Sequence, residues 1–182
     1  MPNWCANGIT LRHADPAMIE RVLNAKDGLL QEFIPCPQEL MDAVANFEVN
    51  EAMVAKYGYS SWYDWSINNW GTKWDFSLEN VDRADANTVT AAFDSAWAPP
   101  IEAYVKLCAL GFEVEGMYYE PGMQFVGKFV GNEDDCDDNC IEYGGATADT
   151  VRELIGEELD DYFGISSEME QYEEDNKEEE NE

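Results

Sequence analysis

The feature that most limits how this chain can fold is where its acid lies. Of 39 acidic residues, 21 fall in the last 52 positions beside only two basic ones; the first 130 hold 18 acidic and eight basic residues. From about Ser166 onward so charged a segment has too little apolar surface to bury, and the main body is expected from residues 1–130. The net charge over 182 residues is -29. Self-repulsion on that scale opposes compaction. It also opposes DNA, RNA and anionic lipid, which are held by neutralising phosphate with Lys and Arg. Direct binding to nucleic acid or to a membrane is therefore not expected. No apolar run is long enough for a transmembrane helix, and Met1-Pro2-Asn3-Trp4-Cys5 lacks the basic and apolar regions of a signal peptide. The expected compartment is the cytoplasm.

Within the first 130 residues, hydrophobic periodicity alternates between strand and helix. Asn3–Arg12 alternates loosely and suits a first strand. Asp15-Pro16 opens a helix with an acidic cap and proline at its first position, and Met18, Ile19, Val22 and Leu23 form its buried face up to about Asp27-Gly28. Phe33-Ile34-Pro35-Cys36-Pro37 is extended, because proline excludes helix there. Gln38–Tyr57 has room for one or two short helices closed by Gly58. Tyr59–Asp75 then gathers four tryptophans and two tyrosines. Lys73–Val81 reads as a strand with Trp74, Phe76 and Leu78 on one side, and Thr88–Ala96 as its pair across a polar turn. Trp97-Ala98-Pro99-Pro100 opens a second helix, with Ile101, Tyr104, Val105, Leu107 and Cys108 inward and Gly111 at its end. Phe112–Tyr119 and Met123–Val130 form a hairpin across Glu120-Pro121-Gly122.

Strand, helix, two strands, helix, two strands is a ferredoxin-like order with one strand added. The expected class is α+β: a ferredoxin-like antiparallel sheet with two packing helices over residues 1–130, and a Trp-rich helical insertion at about 38–68. Residues 131–165 form an acidic extension with one helix. Thr150-x-x-Glu153 is its capping box, and Val151, Leu154, Ile155, Leu159 and Tyr162 or Phe163 are its apolar face. Residues 166–182 are expected to be a disordered acidic tail.

Several sequence blocks occur together in order: Met1-Pro2-Asn3-Trp4-Cys5-Ala6-Asn7, Pro35-Cys36-Pro37-Gln38-Glu39-Leu40, Trp70-Gly71-Thr72-Lys73-Trp74-Asp75, Ala96-Trp97-Ala98-Pro99-Pro100, and Tyr119-Glu120-Pro121-Gly122 followed by Phe125-Val126-Gly127. On these blocks the chain resembles the YubB ferredoxin-like family of small proteins encoded by plasmids and phages. The resemblance spans roughly residues 1–130 and implies a ferredoxin-like sheet and a mobile-element source. It carries no catalytic or ligand residues across. The acidic segment after Gly131 lies outside the matched blocks, so its role is read from its chemistry alone. In the same motifs, Trp70, Trp74 and Trp97 are expected to be core residues that fix the chain at the strand ends.

Catalytic constellations are weak. The single histidine, His13, has no Ser-His-Asp or Cys-His neighbour and reads as a surface residue. Paired carboxylates are too common to point anywhere. Five cysteines without a secretory signal read as reduced thiols, with Cys5 and Cys108 in the core. Cys136-x-x-x-Cys140 has no second ligand pair for zinc. Asp135, Asp137 and Asn139 imitate the start of a calcium loop, but Cys140 replaces its glycine and Ala146 its final glutamate. No catalytic residue, metal or cofactor is expected, and the chain is read as acting by binding rather than by catalysis.

Concentrated carboxylate points to a cationic partner. The leading expectation is a phage or plasmid accessory protein that binds and inhibits a basic, nucleic-acid-binding protein of its bacterial host, a defence nuclease or similar enzyme, through a DNA-mimic-like surface. One cluster is Asp134, Asp135, Asp137 and Asp138. The other is Glu157, Glu158, Asp160 and Asp161, on the solvent side of the last helix. The plainest alternative is that the acid serves solubility only. A protein-interaction module using Trp62, Tyr63 and Trp65 is a second alternative, although a small core under the insertion explains those aromatics more simply. An enzyme using carboxylates and a divalent metal is the third.

Overall fold

Alternation in Trp4–His13 (β1) turns Cys5, Asn7, Ile9 and Leu11 to one face of a strand, and all four are buried. They belong to a computed structural model that describes residues 3–25, 27–43 and 49–179, with side chains described as far as Asn176. Asp15 caps the helix after β1, its carboxylate accepting from Ala17 N–H at 2.9 Å; Pro16–Asn24 (α1) then buries Ile19 and Val22 completely. The insertion follows as Leu29–Phe33 (α2), Gln38–Asp42 (α3), Glu51–Tyr57 (α4) and Trp62–Trp70 (α5). Gly71 ends α5 at φ 78°, and the backbone nitrogen of Ile101 lies 3.1 Å from where a Cβ would stand, so only glycine fits both demands.

Glu79–Asp82 (β2), Thr88–Ala96 (β3), Ile101–Ala109 (α6), Phe112–Glu120 (β4) and Phe125–Gly131 (β5) continue the body. They are followed by Cys136–Glu142 (β6), Ala148–Ile155 (α7), Glu157–Phe163 (α8) and Ile165–Glu179 (α9). Among the described residues the strands form one sheet in the order β2-β3-β1-β4-β5-β6, every pair antiparallel. The run β2-β3-β1-β4 is the ferredoxin-like arrangement, with β1 and β3 central and α1 and α6 as the crossovers. Strands β5 and β6 widen it on one side.

Each face of the sheet carries its own core, the second over only part of its face. On the first, Leu11, Phe93 and Phe112 pack against Ile19 and Val22 of α1, Leu107 of α6, and Trp65 and Trp70 of α5. Trp65 and Trp70 meet edge to face at 5.3 Å, and Trp70 Nε1–H donates to Ile34 O at 2.9 Å. The second core joins Tyr119 and Val126 to Val151, Ile155, Leu159 and Ile165 of the last three helices.

Several expectations need correction. The strand expected over Lys73–Val81 begins only at Glu79. Phe76 leaves the strand pattern to stack on Phe93 at 3.7 Å, and Trp74 is exposed. Phe33, expected in the extended segment, is the last residue of α2, whose N-terminal N–H groups at Leu30 and Gln31 are held by the Asp75 carboxylate from 45 and 44 positions away. The expected single helix of the extension is two, because Gly156 at φ 87° interrupts it; Leu154 and Tyr162 are then half exposed rather than on a common buried face. A sixth strand precedes them. The tail expected to be disordered from 166 is helical to Glu179, anchored by Ile165, which is fully buried. Residues 44–48 of the expected 38–57 helical segment, and 180–182 of the tail, lie outside the described residues.

Candidate functional site

The two acidic clusters differ in how much charge they leave available. Asp134 and Asp135 stand exposed in the β5–β6 turn, and Asp137 is exposed on β6. Because Ile141 of the same strand enters the second core, Asp137 shares the face that carries α7–α9. Asp138 points the other way and accepts from Tyr118 Oη–H at 2.8 Å; burial pushes its carboxyl above the ordinary value. In the second cluster two cations, Lys128 and Arg152, stand against four carboxylates. Glu158 pairs with Lys128 at 2.6 Å, Asp161 with Arg152 at 2.6 Å, and Glu157 lies 3.9 Å from Arg152. Asp160, expected on the solvent side, is buried. It accepts from Ser166 N–H, from Ser166 Oγ–H and from Arg152 Nη1, each at 2.7 Å. It is a structural joint between α7, α8 and α9, and no part of a docking surface.

The tryptophan alternative is also rearranged. Trp65 is core, while Trp62 and Tyr63 are half-buried. The exposed indoles are Trp4, Trp74 and Trp97; the last two are among those expected in the core, whereas Trp70 is buried there as expected. Lys73 stands among them, its ammonium 4.3 Å from the Trp74 ring, 5.3 Å from Trp97 and 5.8 Å from Tyr63. Trp97 takes φ 71°, an unusual conformation for a bulky residue.

Among the recesses on the second face, two lie against α8 and α9. One, of about 360 Å³, covers the bare half of the sheet at Thr10 and Thr90, and its charged rim is already matched by the Arg12–Glu115 and Lys128–Glu158 pairs. The other, of about 570 Å³, runs between α9 and the β4–β5 turn. Tyr119 and Tyr143, nearly parallel at 6.3 Å, form its floor. Glu168, Met169, Tyr172 and Glu173 of α9 form one wall. Tyr119 Oη–H points to Glu168 Oε2 at 3.4 Å, and Glu173 Oε1 accepts from Ala148 N–H at 3.0 Å, at the start of α7. Burial pushes the Tyr119 and Tyr143 phenols up, so both stay neutral at physiological pH. Among the described side chains, no basic residue lines this groove. It escaped the sequence reading because its members come from β4, the segment after β6, and α9; the one local signal was Tyr172, an aromatic in an otherwise acidic helix.

Thiol chemistry is not offered by the core: burial pushes both Cys5 and Cys108 up to about 12. Among the described residues, no three His, Cys, Asp or Glu side chains gather as metal ligands, and no helix is long and apolar enough to cross a membrane.

The family described as the ferredoxin-like domain in Api92-like protein matches residues 73–165. The match runs from the end of the insertion through β6, α7 and α8, so the first part of the acidic extension lies within the domain. A similar solved structure is the crystal structure of the protein Api92 from Yersinia pseudotuberculosis, at 14% identity and a TM-score of 0.49, covering 80% of this chain and 99% of that one. No curated protein matches. Since the matched residues make up half of the 182, this chain belongs to the family of Api92-like proteins with a ferredoxin-like domain.

Proposed function

We propose that this is a plasmid- or phage-encoded binding protein that captures a basic, nucleic-acid-binding protein in the cytoplasm of a bacterial host and obstructs its nucleic-acid site. The observation that carries this reading is the carboxylate surplus on the β6 side of the sheet. Asp134, Asp135 and Asp137 are exposed and enter no ion pair among the described residues, whereas Glu157, Glu158, Asp160 and Asp161 share two internal cations, Lys128 and Arg152. The surplus is carried on a strand and the turn before it. Such a field steers a basic partner on encounter and competes with DNA or RNA for the same groove. The sequence resemblance to plasmid- and phage-encoded proteins supports the source.

The test is capture of host proteins at about 0.05 M and about 0.3 M salt, with duplex DNA as competitor. Basic nucleic-acid-binding proteins should be retained at low salt and released by salt and by DNA. The triple variant Asp134→Asn, Asp135→Asn, Asp137→Asn should lose them. Recovery of no basic protein, or capture indifferent to salt, rejects the reading.

A second reading rests on a separate observation, the Trp4–Trp74–Trp97 patch around Lys73. Exposed indoles are effective interface anchors. On that reading Trp74→Ala with Trp97→Ala abolishes capture, and the acidic triple variant leaves it intact.

A further inference from the structure

We infer that the groove between α9 and the β4–β5 turn is a receptor for an arginine side chain of the basic partner. This rests on the acidic-surface reading above and names one contact within it. The groove, at about 570 Å³, has room for a long side chain, and its lining combines two carboxylates with an aromatic face. Glu168 and Glu173 each have one oxygen engaged, by Tyr119 Oη–H and by Ala148 N–H respectively, and neither enters an ion pair among the described residues. A guanidinium entering between them can donate to both, in the planar, forked manner that an ammonium cannot reproduce. Tyr172 is 70% exposed and stands between the two glutamates on α9, so its ring offers a stacking face to the same planar cation.

The alternatives fit less well. An anion would meet two carboxylates and no cation among the described side chains. An uncharged apolar side chain would leave both carboxylates partly desolvated without a partner. A lysine ammonium satisfies the charge but gains nothing from the fork or from stacking in the plane of the ring.

The experiment titrates the full chain with three short peptides of equal length, carrying arginine, lysine or citrulline at the same positions, followed by calorimetry and by the NMR signal of the Met169 methyl in the groove. The arginine peptide should bind and shift Met169. The lysine peptide should bind about tenfold more weakly, and the citrulline peptide, isosteric but uncharged, should not bind measurably. Tyr172→Ala and Glu168→Gln should each weaken the arginine peptide about tenfold. Both positions are at the surface, and Glu168→Gln keeps an acceptor for Tyr119, so thermal unfolding of both should match the parent. Equal binding of arginine and lysine peptides overturns the assignment, as does arginine binding that ignores both variants. If arginine binding instead disappears in the Asp134, Asp135, Asp137 triple variant, the groove inference fails while the acidic-surface reading stands. If the arginine peptide maps to the groove but no basic host protein is captured, the groove stands and the wider reading fails.

Discussion

The carboxylate of Asp160 has 2% of its side chain exposed and makes three bonds, to Ser166 N–H, Ser166 Oγ–H and Arg152, at 2.7 Å each. A buried charge is tolerable only when it is paired and bonded in this way. Asp160→Ala should therefore cost about 2–3 kcal/mol in urea unfolding, less than a fully buried pair because Arg152 is partly in water. Asp161→Ala, in an exposed pair with the same arginine, should stay within about 0.5 kcal/mol. Burial by itself pushes the Asp160 carboxyl up, but the bonds from Ser166 and Arg152 outweigh it and hold the group below its ordinary 3.8. A depressed carboxyl contributes stability above its unfolded value and loses it as pH falls through the folded one. The stability difference between parent and Asp160→Asn should thus be constant from about pH 5 to pH 7 and shrink below about pH 4. None of this was legible from the residue in its EELDD run, where Asp160 looks like its exposed neighbours. Its role is set by Ser166, six positions on across the Gly164 turn, and by Arg152 across the Gly156 break.

Elements with dense local patterns formed where periodicity placed them: β1, α1, β3, α6 and β4 all lie within a residue or a few of their expected bounds. Those that failed are held from a distance. Strand β6 has no apolar alternation beyond Ile141 and exists by pairing with β5 from Gly131↔Cys136 to Phe125↔Glu142. Helix α9 carries too much acid to stand alone, as short helices in water are marginal even with good sequences. It is held by Ile165 and Met169 in the second core and by Glu173 at the start of α7. Ile165→Ala should accordingly cost about 2–4 kcal/mol in chemical denaturation, the range for emptying a buried aliphatic site. A mobile tail would show no change. The same substitution should reduce the helical signal in circular dichroism before the sheet unfolds, because α9 is the outermost member of its layer.

At the scale of the molecule, acid sits on both open edges of the sheet: Glu79 and Asp82 on β2, and Asp137, Asp138 and Glu142 on β6. Charged edges repel a second copy that would otherwise extend the ladder, so part of the acid has a structural use that needs no partner. With net charge at -29, screening should favour the folded state. The thermal midpoint should rise between about 0.01 M and about 0.15 M NaCl, as the Debye length falls from about 30 Å to about 8 Å. The same change in salt should weaken capture of a basic partner, so stability and binding move in opposite directions; a midpoint that falls with salt would contradict the repulsion argument. The amino-acid sequence by itself determined the ferredoxin-like order of elements and the concentration of acid after Gly131, since both rest on local periodicity and composition. Only the tertiary structure decided that the acid-rich third folds back over the sheet, which carboxylates are matched by Arg152 and Lys128, which tryptophans face water, and that Tyr119, Tyr143 and Tyr172 share one groove. Those outcomes depend on contacts between residues tens of positions apart, and it is the contacts, not the residue types, that set how much water each side chain keeps.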